Sequence, residues 1–144
     1  MELVATRVVA RPADEVFAFI SDSSNNPRSQ KGQQLCVWTT PPPVGVGSRY
    51  DQRARFLVRS VLNRFEVISL EPGRSMTIQS TEGSFPIQVT RSVEPLDEKH
   101  SRVRAEIQGE PGRLFRIGGR LLQLLAQRSV DADYDRLKRL LETG

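Results

Sequence analysis

Phe115, Gly119, Leu122, Ala126, Val130, Tyr134, Leu137 and Leu141 keep step with a 3.6-residue period, and between Leu114 and Leu141 only the pair Gly118 and Gly119 interrupts good helix formers. The spacing predicts one helix about 40 Å long at 1.5 Å per residue, with a single apolar row along it. A helix of this kind must lay its row against another apolar surface. Its first half carries more than the row: in RLLQLLAQ, residues 120–127, Leu121, Leu124 and Leu125 stand beside Leu122 and Ala126. One face against one sheet cannot hide them all.

What precedes the helix supplies the sheet. Residues Glu2 to Ala10 alternate loosely, with Val4, Thr6 and Val8 on one side, as in a strand with one buried face. Pro12, Asp14 and Glu15 then suit a first helical turn, and Ala13, Val16, Phe17 and Ile20 recur at helical spacing. SDSSNNPRSQKG, residues 21–32, is rich in turn and cap formers and leaves room for at most one further helical turn. Six strands are predicted after it: Gln34 to Thr39, Ser48 to Leu57, Leu62 to Leu70, Ser75 to Ser80, Phe85 to Pro95 and Arg102 to Gln108. PPPVGVG, EPGR, EGS and LDEKHS separate them, and such short connections favour an antiparallel meander.

At 144 residues the chain fits one domain, residues 1–144, long enough to bury roughly two thirds of its unfolded surface. A content of 38% hydrophobic and 26% charged residues excludes a disordered or fibrous chain. Twenty-one Lys plus Arg against 17 Asp plus Glu leave a formal +4 without any basic run, so no nucleic-acid partner is expected. No apolar run reaches the roughly 18 residues of a membrane span, and the N-terminus lacks a signal pattern; a cytoplasmic protein is expected.

The order strand, helix, six strands, long helix meets a set of local motifs. ARPADEVFAFISD, GVGSRY, FEVISLEPGR, RSVEPLDEKHSRV and DYDRLKRLLE follow one another across the chain. In this order they resemble the START-like, or SRPBCC, helix-grip superfamily of polyketide cyclases and dehydrases, lipid-transfer domains and the birch-pollen allergen fold. The resemblance covers residues 1–142. It implies an α+β fold: a curved antiparallel sheet of about seven strands, short helices after the first strand, and a long C-terminal helix across the sheet. Two stretches depart from the pattern. NPRSQKG stands where members often carry a Trp, and His100-Ser101 where they often carry Gly-Thr. The superfamily holds carriers, sensors and enzymes on one scaffold, so the fold does not choose among them.

Few residues can carry chemistry. Cys36 is the only cysteine and sits between Leu35 and Val37, as a small strand residue does; a disulfide within the chain and a cysteine metal cage are excluded. His100 is the only histidine and follows Asp97, Glu98 and Lys99 in a solvated turn, so no role is assigned to it. No metal and no cofactor are expected, and acid or base work would fall to Asp, Glu, Tyr or Arg. In the strand RYDQRARF the row Arg49, Asp51, Arg53 and Arg55 must be the wet face, which turns Tyr50, Gln52 and Phe56 inward. Phe85, Ile87, Val89, Arg91 and Val93 form another inward row with one cation in it. Arg91 therefore pairs with an internal carboxylate, reaches water at a cavity mouth, or holds an anionic ligand group.

In a helix-grip arrangement the surplus leucines line a cavity roof or entrance beside a glycine hinge, pack in the core, or form a homodimer contact. The leading expectation is binding of a hydrophobic small molecule, such as a lipid, an isoprenoid or a polyketide-like ring, by a monomer or homodimer. Tyr50, Gln52, Phe56, Val89, Arg91, Leu121 and Leu125 are its expected ligand contacts. The alternatives are a metal-free cyclase, aromatase or dehydratase, and a protein-interaction module that dimerises through the long helix.

Overall fold

The computed structural model describes residues 2–56, 59–82, 86–109 and 113–143, and the side chains of residues 56, 59 and 113–118 lie outside the description. Seven strands form one sheet: β1 (Glu2–Val9), β2 (Gln33–Trp38), β3 (Arg49–Phe56), β4 (Arg59–Glu71), β5 (Ser75–Glu82), β6 (Ile87–Pro95) and β7 (Ser101–Gly109). Their spatial order is β1-β7-β6-β5-β4-β3-β2, and every neighbouring pair is antiparallel. The α-helices among the described residues are α1 (Ala13–Ile20), α2 (Asn26–Ser29) and the long α3 (Arg113–Thr143). This is the helix-grip architecture.

β4 and β5 run further than the hydrophobic pattern indicates, because polar residues at their ends still pair: Arg59 lies opposite Phe56, and Glu82 opposite Arg64. Register shifts at Arg64/Phe65 and at Val67/Ser69 bend the long β4, which helps to curve the sheet. The β4–β5 turn is the EPGR motif; Arg74 N–H donates to Glu71 O at 2.9 Å, and Gly73 takes the positive φ of 76° that a type II turn needs. Residues 21–32 hold more helix than the one turn expected, a 3-10 turn at Ser23–Asn25 followed directly by α2. Asp22 makes this feasible by accepting the Ser24 N–H at 3.1 Å, and Pro27 opens α2 where its missing N–H costs nothing.

α1 buries Val16, Phe17 and Ile20 against the sheet, and α3 buries Tyr134 and Leu137. Within α3, Gly119 leaves helical geometry, with φ 31° and ψ −108°, so the helix is kinked where the glycine pair stands. Beyond the kink, α3 runs along the edge strand β1. Three of that strand's carbonyls, Val4, Thr6 and Val8, receive side-chain donors from Gln127, Arg7 and Lys138 at 2.8, 2.8 and 2.6 Å. An edge that could recruit another strand is thus occupied within the chain. At the helix's other flank, Arg136 donates to Ser29 O at 2.8 Å and ties α3 to α2.

Candidate functional site

Sheet, α2 and α3 border a cavity of about 110 Å³. Its apolar lining comes from Phe65, Met76, Ile78, Val89 and Ile107 on β4 to β7, with Val130 from α3 above them. Its polar lining comes from Ser23, Asn26 and Gln30 around α2, from Gln33, Tyr50 and Gln52 on β2 and β3, from Arg91 on β6, and from Asp133 and Tyr134 on α3. Ile87 lines both this cavity and an open groove at the sheet's end.

Arg91 is 6% exposed. Strand alternation turns it inward with Val93, and once there it meets neutral oxygens only: Nε donates to Tyr134 Oη at 2.9 Å, and Nη1 donates to Ile20 O and Asn26 Oδ1, each at 3.1 Å. Ile20 O is one of the last carbonyls of α1, where the helix dipole favours a cation. The guanidinium also stands 5.5 Å from the centre of the Tyr134 ring. No carboxylate pairs with Arg91 among the described residues, and Nη2 meets no hydrogen-bond partner among them.

Tyr50 is fully buried, its ring stacked on Phe65 at 5.3 Å and set edge-on to Trp38 at 5.2 Å. Its hydroxyl has no hydrogen-bond partner among the described residues; Ser23 lies close to it without hydrogen-bonding geometry. Burial pushes the phenol far above its ordinary range, so it is a neutral O–H donor. Gln52 is also buried, and its Oε1 stands 3.8 Å from Cys36 Sγ. Burial raises the Cys36 thiol to about 11, which makes it a packed residue and not a nucleophile. Asp133 is pushed up by burial as well, against the pull of the Lys31 N–H at 3.3 Å and Arg136 Nη1 at 3.1 Å.

Of the residues expected to contact a ligand, Tyr50, Gln52, Val89 and Arg91 come together around this cavity. Leu121 and Leu125 do not; they are 63% and 50% exposed. The side chain of Phe56, and Phe85 altogether, lie outside the described residues. His100 sits in the β6–β7 turn with Nδ1 at 2.9 Å from Asp97 Oδ1, and it does not line the cavity. Asn26, Asp133 and Tyr134 were not anticipated at the site. Tyr134 belongs to the apolar row that grips the sheet, and its hydroxyl was the only signal that this position is more than packing. Among the described residues no group of three or more His, Cys, Asp or Glu is placed to hold a metal ion, and no helix is long and apolar enough to cross a membrane.

Comparison with solved structures returns the same fold in proteins of very different sequence. The Thermus thermophilus protein TTHA0849 superposes with a TM-score of 0.82 at 20% identity, over 96% of this chain and 95% of that one. The ZhuI aromatase/cyclase of Streptomyces sp. R1128 gives 0.76 at 14% identity, over 95% and 90% of the two chains. Ginseng major latex-like protein 151 from Panax ginseng gives 0.64 at 16%, over 95% and 97%. No curated protein matches the chain in sequence. A family model described as polyketide cyclase/dehydrase and lipid transport matches residues 1–142. With sequence motifs, sheet order and family model in agreement along its length, the chain belongs to the polyketide cyclase/dehydrase and lipid transport family of the START-like, helix-grip superfamily.

Proposed function

We propose that this protein binds a hydrophobic small molecule, of lipid, isoprenoid or polyketide type, between the sheet and α3. The observation that carries the reading is a partly open cavity between the sheet and α3, in which apolar side chains of β4 to β7 and α3 meet polar groups from α2, β2, β3, β6 and α3. Its volume of about 110 Å³ favours a compact ligand, since pockets for drug-sized molecules run to roughly 300–1,000 Å³. Affinity comes mainly from apolar burial, at roughly 25 cal/mol per Å² before association costs. Tyr50, Gln52 and Arg91 orient the molecule. Trp38, the single tryptophan, stands 5.2 Å from Tyr50 and serves as a fluorescent reporter. Titration with fatty acids, isoprenoid alcohols and small phenols should change its emission and stabilise the fold, by about 2.7 kcal/mol at a hundredfold excess over Kd, read as a higher melting temperature. If no compound of the three classes does either, the reading fails.

A second reading is a cyclase, aromatase or dehydratase, and Asp133 favours it. A carboxyl raised by burial retains its proton closer to neutral pH, and Arg91 in the same cavity can polarise a carbonyl. On this reading Asp133→Asn keeps ligand binding and loses turnover of a β-keto substrate. Equal turnover by variant and parent excludes Asp133 as the acid.

A further inference from the structure

We propose that the polar side of the cavity is a carboxylate subsite, in which Arg91 Nη2 and the Tyr50 hydroxyl bind the head group of a compact, apolar carboxylic acid. The inference rests on the ligand-binding reading above and names the ligand's chemistry. Two independent observations carry it. Arg91 is a buried cation whose three hydrogen bonds all go to neutral oxygens, with no carboxylate partner among the described residues. Burial of such a charge is costly unless an anion compensates it. Tyr50, fully buried, belongs to the lining of the same cavity, and its hydroxyl has no partner among the described residues; a buried donor left unmade is a standing cost. A carboxylate satisfies both donors. No neutral ligand atom would offset the guanidinium charge.

The remaining lining agrees with this assignment. Among the described residues Asp133 is the carboxylate of the cavity wall, and it is engaged by Arg136 Nη1 at 3.1 Å and by the Lys31 N–H, not by Arg91. Asn26 and Tyr134 hold Arg91 Nη1 and Nε in place, which leaves the outer nitrogen free to meet an incoming oxygen. Phe65, Met76, Ile78 and Val89 offer the apolar side to the ligand's body. An apolar cavity of about 150 Å³ takes benzene, so one of about 110 Å³ suits a branched body of four or five carbons.

The test titrates 3-methylbutanoate, 3-methylbutanamide and 3-methyl-1-butanol, and the long pair hexadecanoate and hexadecanol, into the full chain by NMR. Tighter binding of 3-methylbutanoate than of its amide and alcohol, by about tenfold or more, is expected. Tyr50→Phe should narrow that preference several-fold without lowering thermal stability, because the hydroxyl it removes has no partner among the described residues. Arg91→Lys, which keeps the charge but not the fork, should weaken the acid more than the alcohol. Equal binding of acid, amide and alcohol overturns the carboxylate subsite and leaves the ligand-binding reading intact. An acid preference unchanged in Tyr50→Phe removes Tyr50 from the subsite. Binding confined to the long pair overturns the compact body, and the acid preference is then read from that pair. If none of the five compounds binds, the subsite falls; the wider reading falls only if isoprenoids and phenols fail too.

Discussion

Arg91 Nε donates to Tyr134 Oη across 2.9 Å, and this bond joins the sixth strand to the C-terminal helix at the cavity wall. Tyr134→Phe keeps the ring beneath the guanidinium but strands a buried donor. The expected cost is about 1–3 kcal/mol of folding stability, read from the urea midpoint at unchanged slope. A variant as stable as the parent would mean that Arg91 finds another acceptor.

At the opposite edge, Arg7 Nε donates to Asp135 Oδ1 at 2.6 Å. This bond, before any other influence, holds the Asp135 carboxyl below its usual range. Between the folded value and the unfolded one near 3.9 the unfolded chain binds more protons. The stability contributed is therefore whole above the unfolded value and is lost as pH falls through the folded one. Arg7→Gln should flatten the acid limb of a stability profile measured between about pH 2 and pH 6, with little change in its shape near neutrality.

Leu121 and Leu125, at 63% and 50% exposure, offer another test. Truncation of either to Ala should cost less than about 1 kcal/mol, against the 2–5 kcal/mol of a packed core leucine. Thermal melts at two protein concentrations check the result. A parent whose melting temperature rises with concentration, lost in the variant, would assign these leucines to a contact between copies.

His100→Ala should leave ligand affinity within about threefold of the parent, because the ring lies in the β6–β7 turn against Asp97 and lines no part of the cavity. Its measurable effect belongs to Asp97, whose carboxyl is held low first by the Lys99 N–H and then by the imidazole. A tenfold loss of affinity would contradict the placement.

Much of this could be read from residue order. The Arg49, Arg53 and Arg55 row forces Tyr50 and Gln52 inward, and Val93 beside Arg91 forces that cation inward, because a strand has only two faces. EPGR and the glycine pair likewise announce a tight turn and a kink by backbone chemistry alone. What periodicity does not carry is the identity of the surface opposite. It marks RLLQLLAQ as carrying more leucine than one face can hide but cannot say that Leu121 and Leu125 remain exposed. Nor can it show that Asn26, in a turn-rich stretch, reaches a strand 65 residues away. Tyr134 reads as one more gripping residue, since its hydroxyl partner lies 43 residues upstream.

The occupied edge of β1 has a consequence for the order of folding. β2 to β7 each pair with their neighbours in sequence, and such local contacts close early and cheaply. β1 has no such neighbour in the chain: it pairs with β7 and is clasped by α3 through bonds spanning 123 to 130 residues. Contacts of that span come last, once loop closure over most of the chain has been met. Val130, Asp133 and Tyr134 of the cavity wall lie on the same stretch of α3 that makes this clasp. The cavity is therefore expected to be completed after the hairpins, and refolding followed by Trp38 emission should show the hairpins formed before any ligand is accepted.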